Sequence, residues 1–189
     1  MSENQTAGAG VKQPSAEALQ LLIDKSELYD LLQNYCRGVD RQDYALLESL
    51  YHPDSTDDHS PQFKGTGPEF VRWLPTILRR YTLTSHVVAS ALFTVAGDFA
   101  EGEAQVSAFH LSKKEPAREM IFHGRYLDRY ERRQGVWRIL ERVTVHDWSE
   151  LRFHDKELSD RVSSGVRQGR GDEHDPLYGR LKLVKRGVR

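Results

Sequence analysis

Residues 118–148 read REMIFHGRYLDRYERRQGVWRILERVTVHDW, and this stretch decides the fold. Polar and apolar residues alternate on both sides of Gln134-Gly135, as they do along strands that bury one face. A two-residue connection that contains glycine, set between two such runs, is typical of a tight β-hairpin. The stretch therefore predicts two long antiparallel strands joined directly to each other.

More strand chemistry precedes this hairpin. Residues 84–97, TSHVVASALFTVAG, are β-branched and apolar, Gly97-Asp98 indicates a turn, and residues 100–115 continue the alternation. Strict alternation places four residues of the first run on one face: His86, Val88, Ser90 and Leu92. In the last strand it groups Arg138, Leu140, Arg142, Thr144, His146 and Trp148, and in the strand before it groups His123 with Arg125. These mixed faces favour a ligand pocket over a dry core, because buried polar groups need partners.

Helical patterns come before the strands. Apolar residues recur at spacings of three and four between Ser15 and Gly38, with Gly38 as the predicted stop signal. Asp43 is placed to cap a second, short helix, and a third helix is predicted over residues 68–81, with a break or kink at Pro75. Three helices followed by a run of strands predict an α+β fold, with a curved antiparallel sheet packed against the helices.

Composition and charge limit the classes of function. The chain has 189 residues and a net charge of -1, which gives it no overall attraction for nucleic acid or a membrane surface. No apolar run reaches the roughly 20 residues of a membrane helix, and the start lacks the pattern of a secretory signal, so we expect a cytoplasmic protein. Cys36 is the only cysteine, which excludes an internal disulfide and a zinc site built from cysteines.

Three regions follow from these patterns. We predict a disordered lead-in over residues 1–14, one domain over residues 15–150 and an arm over residues 151–189. Residues 152–189 hold ten of the 27 Lys and Arg but six of the 28 Asp and Glu. A basic, glycine-rich segment of this kind favours an arm that lies over its own or another subunit.

The residues that could carry chemistry are an aspartate and several histidines. The sequence has no G-x-S-x-G motif, no P-loop and no histidine spacing typical of a metal site, so no metal or cofactor is expected. Asp40 follows the first helix, where it could simply form a turn, and His86 opens a strand. A carboxylate that accepts the ring N–H of a histidine fixes its tautomer and raises its basicity, which makes the second ring nitrogen a usable general base.

Three segments carry a resemblance to a known family. Residues 35–54 (YCRGVDRQDYALLESLYHPD), 84–88 (TSHVV) and 124–143 (GRYLDRYERRQGVWRILERV) together resemble the SnoaL-like branch of the nuclear transport factor 2-like superfamily. The resemblance implies a cone-shaped α+β barrel whose Asp and His form a proton-abstracting dyad without a cofactor. It places that dyad at Asp40 and His86.

The resemblance also implies further site residues. Family active-site positions fall on Tyr35 and His110, on His146 where a relative has Arg, and on His59 where a relative has Tyr. The expected catalytic residues are therefore Asp40, His86, Tyr35, His146 and His110. With the residues that strand alternation grouped, the expected substrate-binding residues are His59, Arg125, His123, Arg142 and Trp148.

These residues predict a lyase of the dehydratase type that acts on a small, mainly apolar, hydroxylated substrate, which could be aromatic, alicyclic or steroid-like. A polyketide-cyclase or isomerase activity would use the same dyad. A ligand-binding or assembly module without catalysis is the third alternative, because a fold does not fix a function. The resemblance further implies a homodimer or homotrimer.

Overall fold

The computed structural model describes residues 13–189, so the predicted lead-in lies outside the described residues except for its last two. Helices and strands alternate in the first half of the chain, and four long strands follow. The elements are α1 (Ala16–Asp40), α2 (Tyr44–Leu50), β1 (Tyr51–His59), β2 (Phe63–Thr66), α3 (Gly67–Leu78), β3 (Tyr81–Ala96), β4 (Phe99–Ser112), β5 (Arg118–Arg133), β6 (Val136–Phe153), α4 (Lys156–Ser163) and α5 (Pro176–Arg180).

Helix α1 ends later than the sequence predicts. Its start is capped by the Ser15 hydroxyl, which accepts from the backbone N–H of Ala18. The expected stop at Gly38 is wrong, because the helix continues to Asp40 and the chain reverses at Gln42, whose φ is 48°. Gly38 is required for packing instead: a Cβ there would lie 2.7 Å from the side chain of Leu47 on α2.

The six strands form one curved, unclosed sheet in the order β2-β1-β6-β5-β4-β3. The α+β class is confirmed, but the sheet is not wholly antiparallel, since β1 runs parallel to β6. The predicted hairpin between β5 and β6 is present, with Arg133 opposite Val136. Gln134 and Gly135 both have positive φ (54° and 77°), as a type I′ turn requires.

A β-bulge changes which residues of β3 point inward. The register shifts between Val88 and Ser90, so the alternation that begins at His86 is broken there. Phe93 lies against the core beyond the bulge, whereas Leu92 is 79% exposed. The prediction that Ser90 and Leu92 share the face of His86 is therefore wrong.

Two further register shifts divide β6 in the same way. The first follows Ile139 and the second falls at Asp147. Trp137 and Ile139 are buried at the start of the strand, Arg142 is buried beyond the first shift, and Trp148 points outward beyond the second. Strict alternation had placed Trp148 on the face of Arg142, and the one extra residue between them, Asp147, makes that prediction wrong.

The core lies between the helices and the inner face of the sheet. Helix α1 packs against β3, and α3 packs against β1. Helix α3 continues through Pro75 without the predicted break and begins with a capping box between Thr66 and Glu69. The largest buried side chains include Trp137, Tyr35, Tyr130, Phe70, Leu28, Leu31, Leu32, Leu46, Leu47 and Leu50.

The C-terminal segment returns to its own chain. The Arg186 guanidinium donates to the carbonyls of Arg41 and Gln42, at 3.1 and 2.6 Å. The backbone N–H of Gly187 donates to the Asp43 carboxylate, which also caps α2 as predicted. The last residues therefore brace the turn that follows α1. Between residues 13 and 189, no helix is both long and apolar enough to cross a membrane.

Candidate active site

A cavity of about 380 Å³ lies between α1, α3 and the inner face of the sheet. This volume falls within the range of about 300–1,000 Å³ that is usual for small-molecule sites. Most of its wall is apolar, from Val39, Phe70, Trp73, Leu74, Ile77 and Phe122 among others. Its polar groups include Tyr35, His59, His86, His110, Thr144 and His146.

Asp40 and His86 meet at one wall of this cavity. The Nδ1 atom of His86 lies 2.7 Å from Oδ1 of Asp40, and the backbone N–H of His86 donates to Oδ2 at 2.8 Å. The Thr84 hydroxyl donates to Oδ1 at 2.9 Å. The last residue of α1 is thus anchored to the beginning of β3 by both carboxylate oxygens.

This geometry settles the roles of the two ring nitrogens of His86. An ionised carboxylate only accepts hydrogen bonds, so Nδ1 must be the donor and Nε2 is left for the cavity. Burial, the largest single influence, raises the pKa of Asp40, but the hydrogen bonds and charge of His86 and the Thr84 hydroxyl together lower it below its ordinary value. Asp40 therefore stays ionised and can stabilise a proton taken up by the ring.

His110 lies beside His86 without a carboxylate of its own. The two rings meet edge to face, with centroids 5.4 Å apart, and Tyr81 packs on the other side at 4.8 Å. Burial and the neighbouring His86 lower the pKa of His110 to about 4. Its buried Nδ1 has no hydrogen-bond partner among the described residues, and neither has the hydroxyl of Thr144. A neutral His110 can therefore hydrogen-bond a ligand. At neutral pH it is not an imidazolium, so it cannot act as a cationic acid.

Tyr35 lines the cavity, and its ring covers a buried ion pair. The Arg142 guanidinium stacks 4.1 Å from the centroid of the Tyr35 ring and 4.2 Å from that of Tyr126. Asp128 holds Arg142 with two hydrogen bonds, at 2.8 and 2.6 Å. Burial raises the pKa of Tyr35, so its hydroxyl remains protonated. Arg142 is fully buried behind these rings and does not reach the cavity, which contradicts the expectation that it binds substrate.

A second carboxylate–imidazole pair reaches the cavity at His59. Nδ1 of His59 hydrogen-bonds Oδ1 of Asp57, and the Tyr51 hydroxyl donates to Oδ2 of Asp57 at 2.7 Å. The family resemblance pointed to His59 but not to Asp57. A spacing of two along a strand puts both side chains on one face, and that signal could have found the pair.

The remaining predicted residues divide between the cavity and the outer face of the sheet. His146 lines the cavity and packs against Phe122, with ring centroids 5.2 Å apart. Arg125 instead forms an ion pair with Asp147 on the outer face. His123 and Trp148 stack on each other outside the cavity, at 3.8 Å. The expectation that Arg125, His123 and Trp148 line the pocket is wrong. Arg125 and His123 each follow an inward-facing residue, and Trp148 is turned outward by the extra residue Asp147.

No three His, Cys, Asp or Glu side chains converge on a point suited to a metal ion within residues 13–189. Cys36 is buried in α1, and burial raises the pKa of its thiol to about 12. Its neutral thiol packs in the core rather than acting as a nucleophile or ligand.

Comparison with known proteins adds a family and a set of structural neighbours. Residues 20–143 match the SnoaL-like domain. An uncharacterized protein of Mycobacterium tuberculosis is 26% identical over 134 residues, which cover 69% of this chain and 90% of that protein.

Solved structures share the fold. The hexachlorocyclohexane dehydrochlorinase LinA-type3 of Novosphingobium barchaimii superposes with a TM-score of 0.66 at 20% identity, covering 71% of this chain and 93% of that one. A Novosphingobium aromaticivorans protein proposed to be a scytalone dehydratase gives a TM-score of 0.62 at 22% identity, covering 69% and 88%.

Proposed function

Because this chain belongs to the SnoaL-like domain family of the nuclear transport factor 2-like superfamily, we propose that it is a lyase that works without a cofactor. It removes water or another leaving group from a small, mainly apolar, hydroxylated substrate. The observation that carries this proposal is the Asp40–His86 pair at the wall of a mostly apolar cavity. Neighbours with dehydrochlorinase and dehydratase names support the same class of reaction.

His86 is the general base in this reaction. Its Nε2 faces the cavity and takes a proton from a substrate carbon, while Asp40 stabilises the imidazolium that forms. Both side chains are sheltered, with 9% of His86 and 11% of Asp40 exposed, so little water competes for the charge. A positioned base of this kind contributes about 10²- to 10⁴-fold, and the remainder comes from holding the substrate in place.

Polar groups that lack partners indicate where the substrate oxygen binds. His110 and Thr144 each have a buried atom without a hydrogen bond among the described residues, and both line the cavity. Buried polar groups seldom remain unpaired, so a ligand hydroxyl or carbonyl placed between them would gain two bonds. Aromatic, alicyclic and steroid-like compounds that carry such an oxygen near the acidic carbon, besides the hydroxyl that leaves, fit this lining.

Incubation in D2O with a panel of hydroxylated aromatic, alicyclic and steroid-like compounds tests the proposal, with products followed by mass spectrometry. We expect loss of one water from the substrate, and we expect His86→Gln to abolish it. Exchange with unchanged carbon skeleton and oxygen count would assign an isomerase or cyclase that uses the same base. Tight binding without either product or exchange would identify a ligand-binding module and refute the enzyme.

The assembly of the protein remains a prediction. Apolar side chains on the outer face of the sheet, among them Val87, Leu92 and Trp148, are 55%, 79% and 48% exposed. Burial of such a surface in a homodimer or homotrimer would remove it from water. Analytical ultracentrifugation of the full chain distinguishes these states from a monomer.

A further inference from the structure

The cavity contains a second histidine that is backed by a carboxylate. His59 is the last residue of β1, and its Nδ1 hydrogen-bonds Asp57 two residues earlier. Asp57 is 1% exposed and also accepts from the buried Tyr51 hydroxyl. The His59 ring stacks on Phe70, with centroids 4.5 Å apart and planes 15° apart. The ring is thus held on two sides, and Nε2 is the nitrogen left for a ligand.

The two histidine pairs stand far apart in the sheet but share one cavity. His59 lies on β1 and His86 on β3, with β6, β5 and β4 between them. Four strand spacings correspond to roughly 19 Å along the sheet. Because the sheet is curved, both residues nevertheless line the same cavity. A substrate in the cavity therefore meets one carboxylate-bonded imidazole from β1 and another from β3.

No other histidine of the cavity has such support. Among the described residues, His110 and His146 line the same space without a carboxylate partner. A histidine that donates Nδ1–H to a carboxylate can carry a second proton on Nε2, because the carboxylate balances the positive charge. His59 and His86 are the two cavity residues with this property.

His59 is the ion-pair partner of the buried Asp57 carboxylate. Within residues 13–189, the only cationic group in ion-pair distance of Asp57 is His59, since Arg142 on the neighbouring strand is engaged by Asp128. A general acid at His59 would therefore carry its positive charge beside a buried carboxylate, which balances that charge. Asp40, in contrast, already accepts two N–H groups of His86 and the Thr84 hydroxyl.

We infer that His59 is the general acid of the reaction and that Asp57 is its positioning residue; this inference rests on the proposed lyase function. His86 takes the proton from carbon, the C–H electron pair forms the C=C bond, and the C–O bond breaks with its pair on oxygen. Nε2 of His59 gives its proton to that oxygen, which leaves as water. His86 then loses its proton to solvent, and His59 regains one.

Two Kemp-elimination probes test this assignment without knowledge of the natural substrate. In 5-nitrobenzisoxazole and in unsubstituted benzisoxazole, a base removes a carbon-bound proton while an N–O bond breaks to give a phenolate. The phenolate oxygen of the nitro compound is a good leaving group, whereas that of the unsubstituted compound needs more help from an acid. For His59→Gln we expect kcat/KM to fall at least tenfold more on the unsubstituted probe than on the nitro probe. Asp57→Asn should shift the same ratio, and His174→Gln, an exposed control, should not.

The outcomes separate the acid from the base. If His59→Gln lowers kcat/KM on both probes by the same factor, or on neither, the assignment of His59 as acid is overturned. A loss of kcat/KM on both probes in His86→Gln would still support His86 as base. If His86→Gln changes kcat/KM on neither probe, the assignment of His86 as base is refuted. A binding measurement then tests His59.

That binding measurement uses 4-nitrophenol, whose visible spectrum distinguishes the phenol from the phenolate. We expect His59→Gln to weaken binding of the phenolate at least tenfold relative to wild type and His174→Gln. Equal affinity in all three proteins overturns the inference even if no probe is turned over. Circular dichroism of each variant establishes that it is folded, and Asp57→Asn provides a second variant if His59→Gln is not.

Discussion

Asp40 and His86 are 46 residues apart in the chain, and two hydrogen bonds join them, one to the imidazole and one to the backbone of His86. The backbone bond holds Asp40 on β3 even when the ring is absent. The carboxylate is therefore positioned by the fold, and the ring is positioned by the carboxylate. This order makes the two residues separable by mutation.

Asp40→Asn is expected to cost more in activity than its small change in shape suggests. The amide would turn an NH2 group toward either the backbone N–H or the Nδ1–H of His86, so one donor would lose its acceptor and the ring could take the wrong tautomer. We expect kcat/KM on a probe turned over by the wild type to fall about 10²-fold or more. Asp160→Asn, an exposed change on α4, is the matched control and should retain wild-type rates.

The same pair predicts a distinct result for His86→Ala. Because Asp40 keeps its bonds to the backbone of His86 and to Thr84, the variant should fold, with an unfolding free energy within about 1–3 kcal/mol of wild type. Chemical denaturation measures this difference. Unfolding of the variant under native conditions would show that the ring, rather than the backbone bond, holds α1 to β3.

His110 makes the stability of the protein depend on pH. Its pKa is lowered to about 4 in the folded state, against about 6.5 in an unfolded chain. The unfolded chain therefore binds the proton first as the pH falls. The contribution of His110 to the free energy of unfolding is complete above about pH 6.5. It is lost progressively toward pH 4, by at most about 3 kcal/mol.

Urea unfolding at several pH values tests this dependence. We expect His110→Phe to flatten the decline between pH 6.5 and pH 4, because its side chain cannot bind a proton. The exposed control, His174→Phe, should keep the wild-type slope. A slope in His110→Phe as steep as in wild type would assign the decline to other groups.

The buried pair of Arg142 and Asp128 is expected to be sensitive to loss of one partner. Asp128→Asn leaves a fully buried guanidinium without its counter-ion and weakens the 2.6 Å bond from the Tyr130 hydroxyl. We expect a loss of about 3–5 kcal/mol in the free energy of unfolding. Glu141→Gln removes an exposed ion pair with Arg129 and should cost less than about 1 kcal/mol. Equal losses in the two variants would contradict the importance of burial.

Removal of residues 186–189 tests the role of the C-terminal segment. The truncation removes the bonds of Arg186 and Gly187 to the turn after α1, and those of Arg189 to the carbonyls of Trp137 and Glu27. We expect the free energy of unfolding to fall by about 1–3 kcal/mol, because each net bond is worth about 1 kcal/mol and the freed chain regains entropy. Lys182→Ala in the full chain is the control, and identical midpoints in truncated and full chains would refute the bracing role.

Local patterns determined much of the architecture. The period of α1, the Asp43 cap and the Gln134-Gly135 turn each depend on neighbours within a few residues, so the sequence alone located them. The type I′ turn also fixed the pairing of β5 with β6. The position of Asp40 and His86 came from a resemblance, since no local pattern joins residues so far apart.

Only the tertiary structure decided which side chains share the cavity. One extra residue in a strand reverses every side chain beyond it, so the bulges of β3 and β6 moved Leu92 and Trp148 to the outer face. The parallel pairing of β1 with β6 likewise depends on long-range contacts, and the strand it forms presents His59 and Asp57 to the cavity and the core. Burial of Arg142 behind Tyr35 follows from the same packing, because a charge finds its partner only when the strands that carry both are paired.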